Sequence, residues 1–182
     1  MIFSLVGLPG SGKTTVGRQL ARRLQLPFVD SDHAVEQRLG CSIREFFERE
    51  GEARFRDVEE EVIDSLTSSP SAVLSTGGGV VLRPRNRVNL RTRGQVIYLK
   101  STPEELYRRL RHDVNRPLLQ VADPLTKLRD LFGDRDALYR EVAHYVLETG
   151  RPSVSTLVNM IIMQLELAGF VPQKTAVVQA KS

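Results

Sequence analysis

The chain has 182 residues, 41% of them hydrophobic, which is enough for one well-buried core and leaves two independent domains each marginal. Its basic residues are almost all arginine, since only Lys13, Lys100, Lys127, Lys174 and Lys181 are lysine, and with a formal charge of +4 the bias suits sites for carboxylate and phosphate, which the planar guanidinium grips bidentately. Cys41 is the single cysteine, which excludes an internal disulfide and a Cys-based metal cluster and fits a reducing cytoplasm. The apolar start, Met1 to Leu8, lacks a basic n-region, is too short for a signal-peptide core and runs into a glycine motif. No stretch approaches the roughly 20 apolar residues of a membrane span, so a cytoplasmic protein without a membrane partner is expected.

Short apolar runs recur along the chain at Ile2 to Val6, Pro27 to Val29, Ala72 to Leu74, Val96 to Leu99 and Tyr145 to Leu147. They read as buried parallel strands. Between them the apolar spacing turns helical, as at Phe55, Val58, Val62 and Leu66, so the pattern is βαβα and predicts a parallel sheet covered by helices on both faces. Ser42 with Glu45, and Thr102 with Pro103 and Glu105, have the spacing of capping boxes. Thr67 to Ser71 is a loop, and 111–123, with Pro117 and little periodicity, is a longer one with the character of a lid. Val154 to Leu167 is a terminal helix, and a flexible polar tail is expected over 169–182, leaving a single domain over 1–168.

The run Gly7-Leu-Pro-Gly-Ser-Gly-Lys-Thr14 is a complete G-x-x-x-x-G-K-T between a predicted strand and a predicted helix. Glycines let consecutive N–H groups curl around an anion, and the positive end of the following helix adds to the field. Gly10, Ser11, Gly12, Lys13, Thr14 and Thr15 are therefore the expected phosphate contacts, with Lys13 on the β- and γ-phosphates and the Thr14 hydroxyl on Mg²⁺. A turn that only packs would not need the whole motif. The cradle does not name the acceptor, because GTPases, motors and small-molecule kinases share it; the chain is short for a motor and contains no guanine-reading Asn-Lys-x-Asp.

Asp30-Ser31-Asp32 ends the second strand, where open parallel sheets bind ligands. One carboxylate can serve Mg²⁺ and the other the acceptor's hydroxyls; the plain alternative is a helix N-cap at Asp32. Arg56 and Glu59, spaced i, i+3 beside the apolar Phe55 and Val58, can pair, although periodicity alone makes theirs a solvated face. Gly77-Gly78-Gly79 after the third strand leaves backbone donors bare for a small polar ligand; a tight turn is the plain alternative, but a turn rarely needs all three. Arg116 and Pro117 fall in the lid, and Arg135 and Tyr139 on the helix after it. Arg83, Arg85, Arg87, Arg91 and Arg93 raise nucleic acid as a rival partner, but without interleaved aromatics they read as a solvated helix face.

Taken in order, GLPGSGKTT, DSD, FRDVE, GGG, NRPLL and RDALYR resemble the shikimate kinase family over Gly7 to Arg140. The resemblance implies a three-layer αβα sandwich on a five-stranded parallel sheet, the P-loop fold of the nucleoside monophosphate kinase-like type, with a substrate-binding helical region near 32–60 and a lid near 111–124. It implies ATP and shikimate as ligands, Mg²⁺ as cofactor, a monomer, and a place in the pathway to chorismate and the aromatic amino acids. Position by position, Asp32 would hold the shikimate hydroxyls and take a proton, and Asp30 would support Mg²⁺ through water. Arg56 and Arg135 would clamp the carboxylate with donors from Gly78 and Gly79, Gly77 would join them in the substrate-binding set, and Phe55 and Pro117 would pack the ring. Arg116 would close on the γ-phosphate, and Arg109 would stack on adenine with Arg151 and Pro152 opposite. The segment Leu110 to Asn115 is bulkier than the small residues frequent there in the family. Gluconate- or nucleotide-directed kinases are the nearest rivals, and the two arginines flanking the triple glycine favour a carboxylated polyol over either.

Overall fold

The computed structural model describes residues 1–111 and 121–172. Five strands, β1 (Ile2–Val6), β2 (Phe28–Asp30), β3 (Ala72–Ser75), β4 (Gly94–Lys100) and β5 (Tyr145–Glu148), form one all-parallel sheet in the order β2-β3-β1-β4-β5. The connecting helices are α1 (Lys13–Leu24), α2 (Ser31–Leu39), α3 (Ile43–Glu50), α4 (Glu52–Thr67), α5 (Pro84–Arg93), α6 (Pro103–Leu110), α7 (Pro124–Val142) and α8 (Val154–Leu167), with a 3-10 turn at Val80–Leu82.

Side chains alternate across the pleat, and each face of the sheet carries its own helices. On one face Ile2, Val6, Leu74, Val96 and Tyr98 meet Ile63 of α4, Leu90 of α5, Leu106 of α6 and Leu128 and Tyr139 of α7. On the other, Phe3, Leu5, Val73, Ile97 and Leu99 meet Val16 and Leu20 of α1 and Leu157, Ile161 and Leu165 of α8. This is the three-layer sandwich that the βαβα pattern predicts. Burial is less uniform than expected. β1 and β3 are buried throughout, whereas the edge strands β2 and β5 are half-covered, with Val146 44% exposed, because each has a neighbour on one side only. A third, smaller cluster of Val35, Phe46, Phe55 and Val62 knits α2, α3 and α4 together beyond the edge at β2.

Of the two expected capping boxes one forms in full and the other only by half. Thr102 closes a full capping box with Glu105 at the start of α6, and at α3 the Ser42 hydroxyl accepts from Glu45 N–H while Glu36 takes the neighbouring Ile43 N–H. The C-terminal end differs. Gly169, at φ 78°, terminates α8 with its N–H on the Glu166 carbonyl and the Phe170 N–H on that of Leu165, a Schellman pair, and Val171 packs on the α1–α8 core. Residues 169–172 thus belong to the helix end, and 173–182 lie outside the described residues. So do 112–120, and with them Arg116, Pro117 and most of the expected lid.

Candidate active site

β1 delivers the chain into the glycine loop at the centre of the sheet, and Gly7, Gly10 and Gly12 all adopt positive φ (150°, 83° and 96°), where a side chain would be strained. Gly12 caps α1 with no side-chain hydrogen bond, and no acidic residue occupies the first turn, so the helix presents bare N–H groups and the positive end of its dipole. The Lys13 ammonium is buried and donates to the carbonyls of Gly7 at 2.8 Å and Leu8 at 2.9 Å. The Thr14 hydroxyl lies 3.5 Å from Oδ2 of Asp30. Together these residues edge a cleft of about 390 Å³ whose far side is formed by Asp32, Ser75, Thr76, Gly77 and Gly78.

A second hollow, about 330 Å³, continues from the loop along Thr15 and Arg109 to Thr149, Pro152 and Leu157. Arg109 is held there by its bonds to the Thr149 carbonyl (2.7 Å) and the Ser101 hydroxyl (3.3 Å). Pro152 lines the same hollow. Arg151 does not line this hollow but an adjoining one with Glu105 and Val146.

At the end of β2 the helix cap is Asp30, not Asp32: Asp30 Oδ1 accepts from the N–H groups of Asp32 (2.9 Å) and His33 (3.2 Å). That bond spends one oxygen on α2 and leaves the other beside Thr14. Asp32 is thereby free of capping duty and points into the cleft, where burial first, then the charges of Asp30 and Glu59, push its pKa up to about 6 against the opposing pull of Lys13. The Ser31 hydroxyl accepts from Gly77 N–H at 3.0 Å, locking the ends of β2 and β3 together.

Arg56 and Glu59 pair at 2.8 Å, but not on a solvated face: their side chains are 11% and 1% exposed. Helical periodicity misplaces them because α4 is covered on a second side by the triple glycine. A Cβ on Gly79 would overlap the Arg56 guanidinium, one on Gly77 would stand 2.6 Å from Asp32 Oδ1, and one on Gly78 would meet Pro9 at 2.9 Å with Arg135 Nη1 3.4 Å away. The missing side chains at Gly77 and Gly79 thus make room for a carboxylate and a guanidinium, and Arg135 lies within contact range of the same stretch of backbone. Phe55 is 3% exposed and packs on Phe47 with its ring under Arg56, so it supports the guanidinium and does not line the cleft. Burial raises the Glu59 pKa while Arg56 opposes it. Sequence reasoning passed over Ser31, Tyr139 and the burial of Glu59; only for Glu59 was there a signal, its spacing from Arg56. Among the described residues no group of three His, Cys, Asp or Glu is set to hold a metal by itself.

The residues of α5 that suggested nucleic acid are engaged elsewhere. Arg83 pairs with Asp57 (3.0 Å), Arg85 and Arg93 with Asp64 (2.8 and 2.6 Å), and Arg87 with Glu141 (3.1 Å), while Arg91 donates to the carbonyls of Glu141 and Ala143. The cluster lies on the solvated side of the helix, as expected, and there serves as a set of clamps from α5 to α4 and α7.

A protein-family model described as Shikimate kinase matches residues 9–166. The chain belongs to the shikimate kinase family. Membership makes it an ATP-using kinase of the P-loop, nucleoside monophosphate kinase-like fold. It is 63% identical over 171 residues to the shikimate kinase of Paracidovorax citrulli, covering 92% of this chain and 93% of that one. Among solved structures it is similar to a shikimate kinase from Acinetobacter baumannii in complex with shikimate, at 48% identity and a TM-score of 0.85, covering 92% of this chain and 93% of the other. It also matches the shikimate kinase of Bacteroides thetaiotaomicron, at 30% identity and a TM-score of 0.84, over 91% and 98% of the two chains.

Proposed function

We propose that this chain transfers the γ-phosphoryl group of ATP to the 3-hydroxyl of shikimate, releasing shikimate 3-phosphate and ADP. The observation that carries the acceptor is the approach of Asp32, Arg56 and Arg135 to Gly77–Gly79, with Asp32, Gly77 and Gly78 lining the cleft of the phosphate loop and the two guanidiniums against the glycine run beside it. A carboxylated polyol has complementary chemistry: an anion for two guanidiniums, and hydroxyls for a carboxylate.

Phosphoryl transfer asks a protein mainly to position two reactants and to stabilise charge on the γ-oxygens. In this reading the loop N–H groups and Lys13 take the phosphates, and Arg109 with Pro152 sandwiches the adenine. Arg56, Arg135 and the N–H groups of Gly78 and Gly79 hold the carboxylate, and Asp32 orients the attacking hydroxyl and accepts its proton. Arg116, outside the described residues, is assigned from the family motif to the γ-phosphate side. Thr14 and Asp30, whose oxygens lie 3.5 Å apart at the mouth of the cradle, fit a hard oxygen-loving cation and are the residues that would hold Mg²⁺, Asp30 through water. Bound there, the ion would neutralise charge on the phosphates.

Among the described residues no helix is long and apolar enough to cross a membrane. The lone Cys41 and the ATP requirement support a cytoplasmic enzyme acting on the route to chorismate. The test is ADP release with Mg-ATP and, in turn, shikimate, gluconate, a nucleoside monophosphate and no acceptor. Acceleration by shikimate alone is the expected result; acceleration by another acceptor and not by shikimate overturns the acceptor side while leaving the cradle.

A further inference from the structure

Tyr139 stands one helical turn beyond Arg135 on α7 and is fully buried, yet it is not part of the cleft wall. Its hydroxyl donates to the carbonyl oxygen of Gly78 at 2.5 Å. That carbonyl and the N–H of Gly79 belong to one planar peptide unit, so fixing the direction of the first fixes the second on the opposite side. The same hydroxyl adjoins the Arg135 guanidinium; burial pushes its pKa up to about 12 although Arg135 opposes the shift, so it keeps its proton and remains a donor at neutral pH. Its ring packs at 4.9 Å on that of Tyr98, whose own hydroxyl donates to Asp136 at 2.8 Å, which leaves the phenol little freedom to turn away.

We propose that Tyr139 is a positioning residue for acceptor selectivity: its hydroxyl sets the Gly78–Gly79 peptide and the Arg135 side chain in one fixed relation, and so shapes the seat for the acceptor's carboxylate. The inference deepens the acceptor reading above and rests on it. A buried phenol linking a backbone carbonyl to a guanidinium has a purely architectural alternative, in which it only ties α7 to the loop after β3. The two differ in what they do to selectivity.

The test is Tyr139→Phe, which deletes one oxygen and keeps the ring, assayed with shikimate and with the analogue whose carboxylate is reduced to an alcohol. The expected result is a shikimate KM raised about five- to tenfold, the range for weakening one charge-assisted contact, with the ATP KM unchanged. The preference for shikimate over the alcohol should shrink by a similar factor. Tyr98→Phe, which removes a buried hydroxyl one ring away, should lower the melting temperature and leave both KM values alone. If Tyr139→Phe keeps the wild-type shikimate KM, or if both variants raise the KM for shikimate and for ATP together, the positioning role is overturned. A wild-type enzyme that does not use shikimate sinks the acceptor reading as well; one that does, with Tyr139→Phe unaltered, sinks this inference alone.

Discussion

Asp32 is kept near two other carboxylates in a partly buried cleft, and the resulting pKa of about 6 has consequences of opposite sign for activity and for stability. Its proton-accepting form exists above that value, so kcat/KM for shikimate should fall on the acid side with a midpoint near pH 6, read from a pH–rate profile. Folding runs the other way. A carboxyl whose pKa is higher in the folded than in the unfolded chain stabilises the fold below the unfolded value near 4 and loses that contribution as pH rises through 6. Asp32→Asn should therefore abolish most turnover, by at least about a hundredfold, yet raise stability to urea at pH 8 by up to roughly 2–3 kcal/mol, with little gain at pH 4. Arg135→Ala should raise the shikimate KM at least about tenfold and barely move that for ATP. The meeting of Asp32 and Arg135 at the triple glycine was legible because both sit in short motifs; the burial of Glu59 was not, because a helical stripe shows one covered face and α4 has two.

The elements that carry these residues owe their placement to contacts of two kinds, local and distant, and only the first can be read along the chain. Thr102 with Glu105, and the glycine run that becomes the phosphate loop, are local, and both formed where expected. The end of β2 needed one more fact: either aspartate suits an N-cap by type, and which one caps depends on where α2 begins. The α5 arginines are the distant kind, since Asp64 lies 21 residues from Arg85 and 29 from Arg93, and Glu141 lies 54 from Arg87. Asp64 anchors both Arg85 and Arg93, so Asp64→Ala should lower the melting temperature, and the deficit should narrow between about 0.05 and 1 M salt as screening weakens exposed pairs. Gly79→Ala probes the acceptor side instead: its methyl competes with the Arg56 guanidinium for space, and the shikimate KM should rise about tenfold or more while the nucleotide KM holds.

Over the whole molecule, the sheet divides the labour. β1 in the centre carries the cradle, β2 and β3 on one side bring Asp30, Asp32 and the triple glycine, and the chain after β5 on the other supplies Thr149 and Pro152 to the hollow beside Arg109. Fold class was legible because βαβα alternation admits few topologies. The end of the chain was less so, since Gly169 and Pro172 look like the start of a tail when in fact Gly169 closes α8. A chain ending at Pro172 should melt above one ending at Ala168 by roughly 2–4 °C, for about 1 kcal/mol of capping and Val171 packing.

The strand order also dictates a schedule. β1 pairs with β3 and β4, and β2 with β3, so no strand has a sheet neighbour that precedes or follows it directly except β2 with β3 and β4 with β5, and the central strand, made first, waits for partners about 70 and 90 residues later. On the ribosome the phosphate loop therefore emerges long before its sheet partners, and the hollow beside Arg109 is complete only once α8 is out. Nucleotide can therefore add its full stabilisation only late, and the earlier steps of sheet assembly run on burial of the strands against their helices.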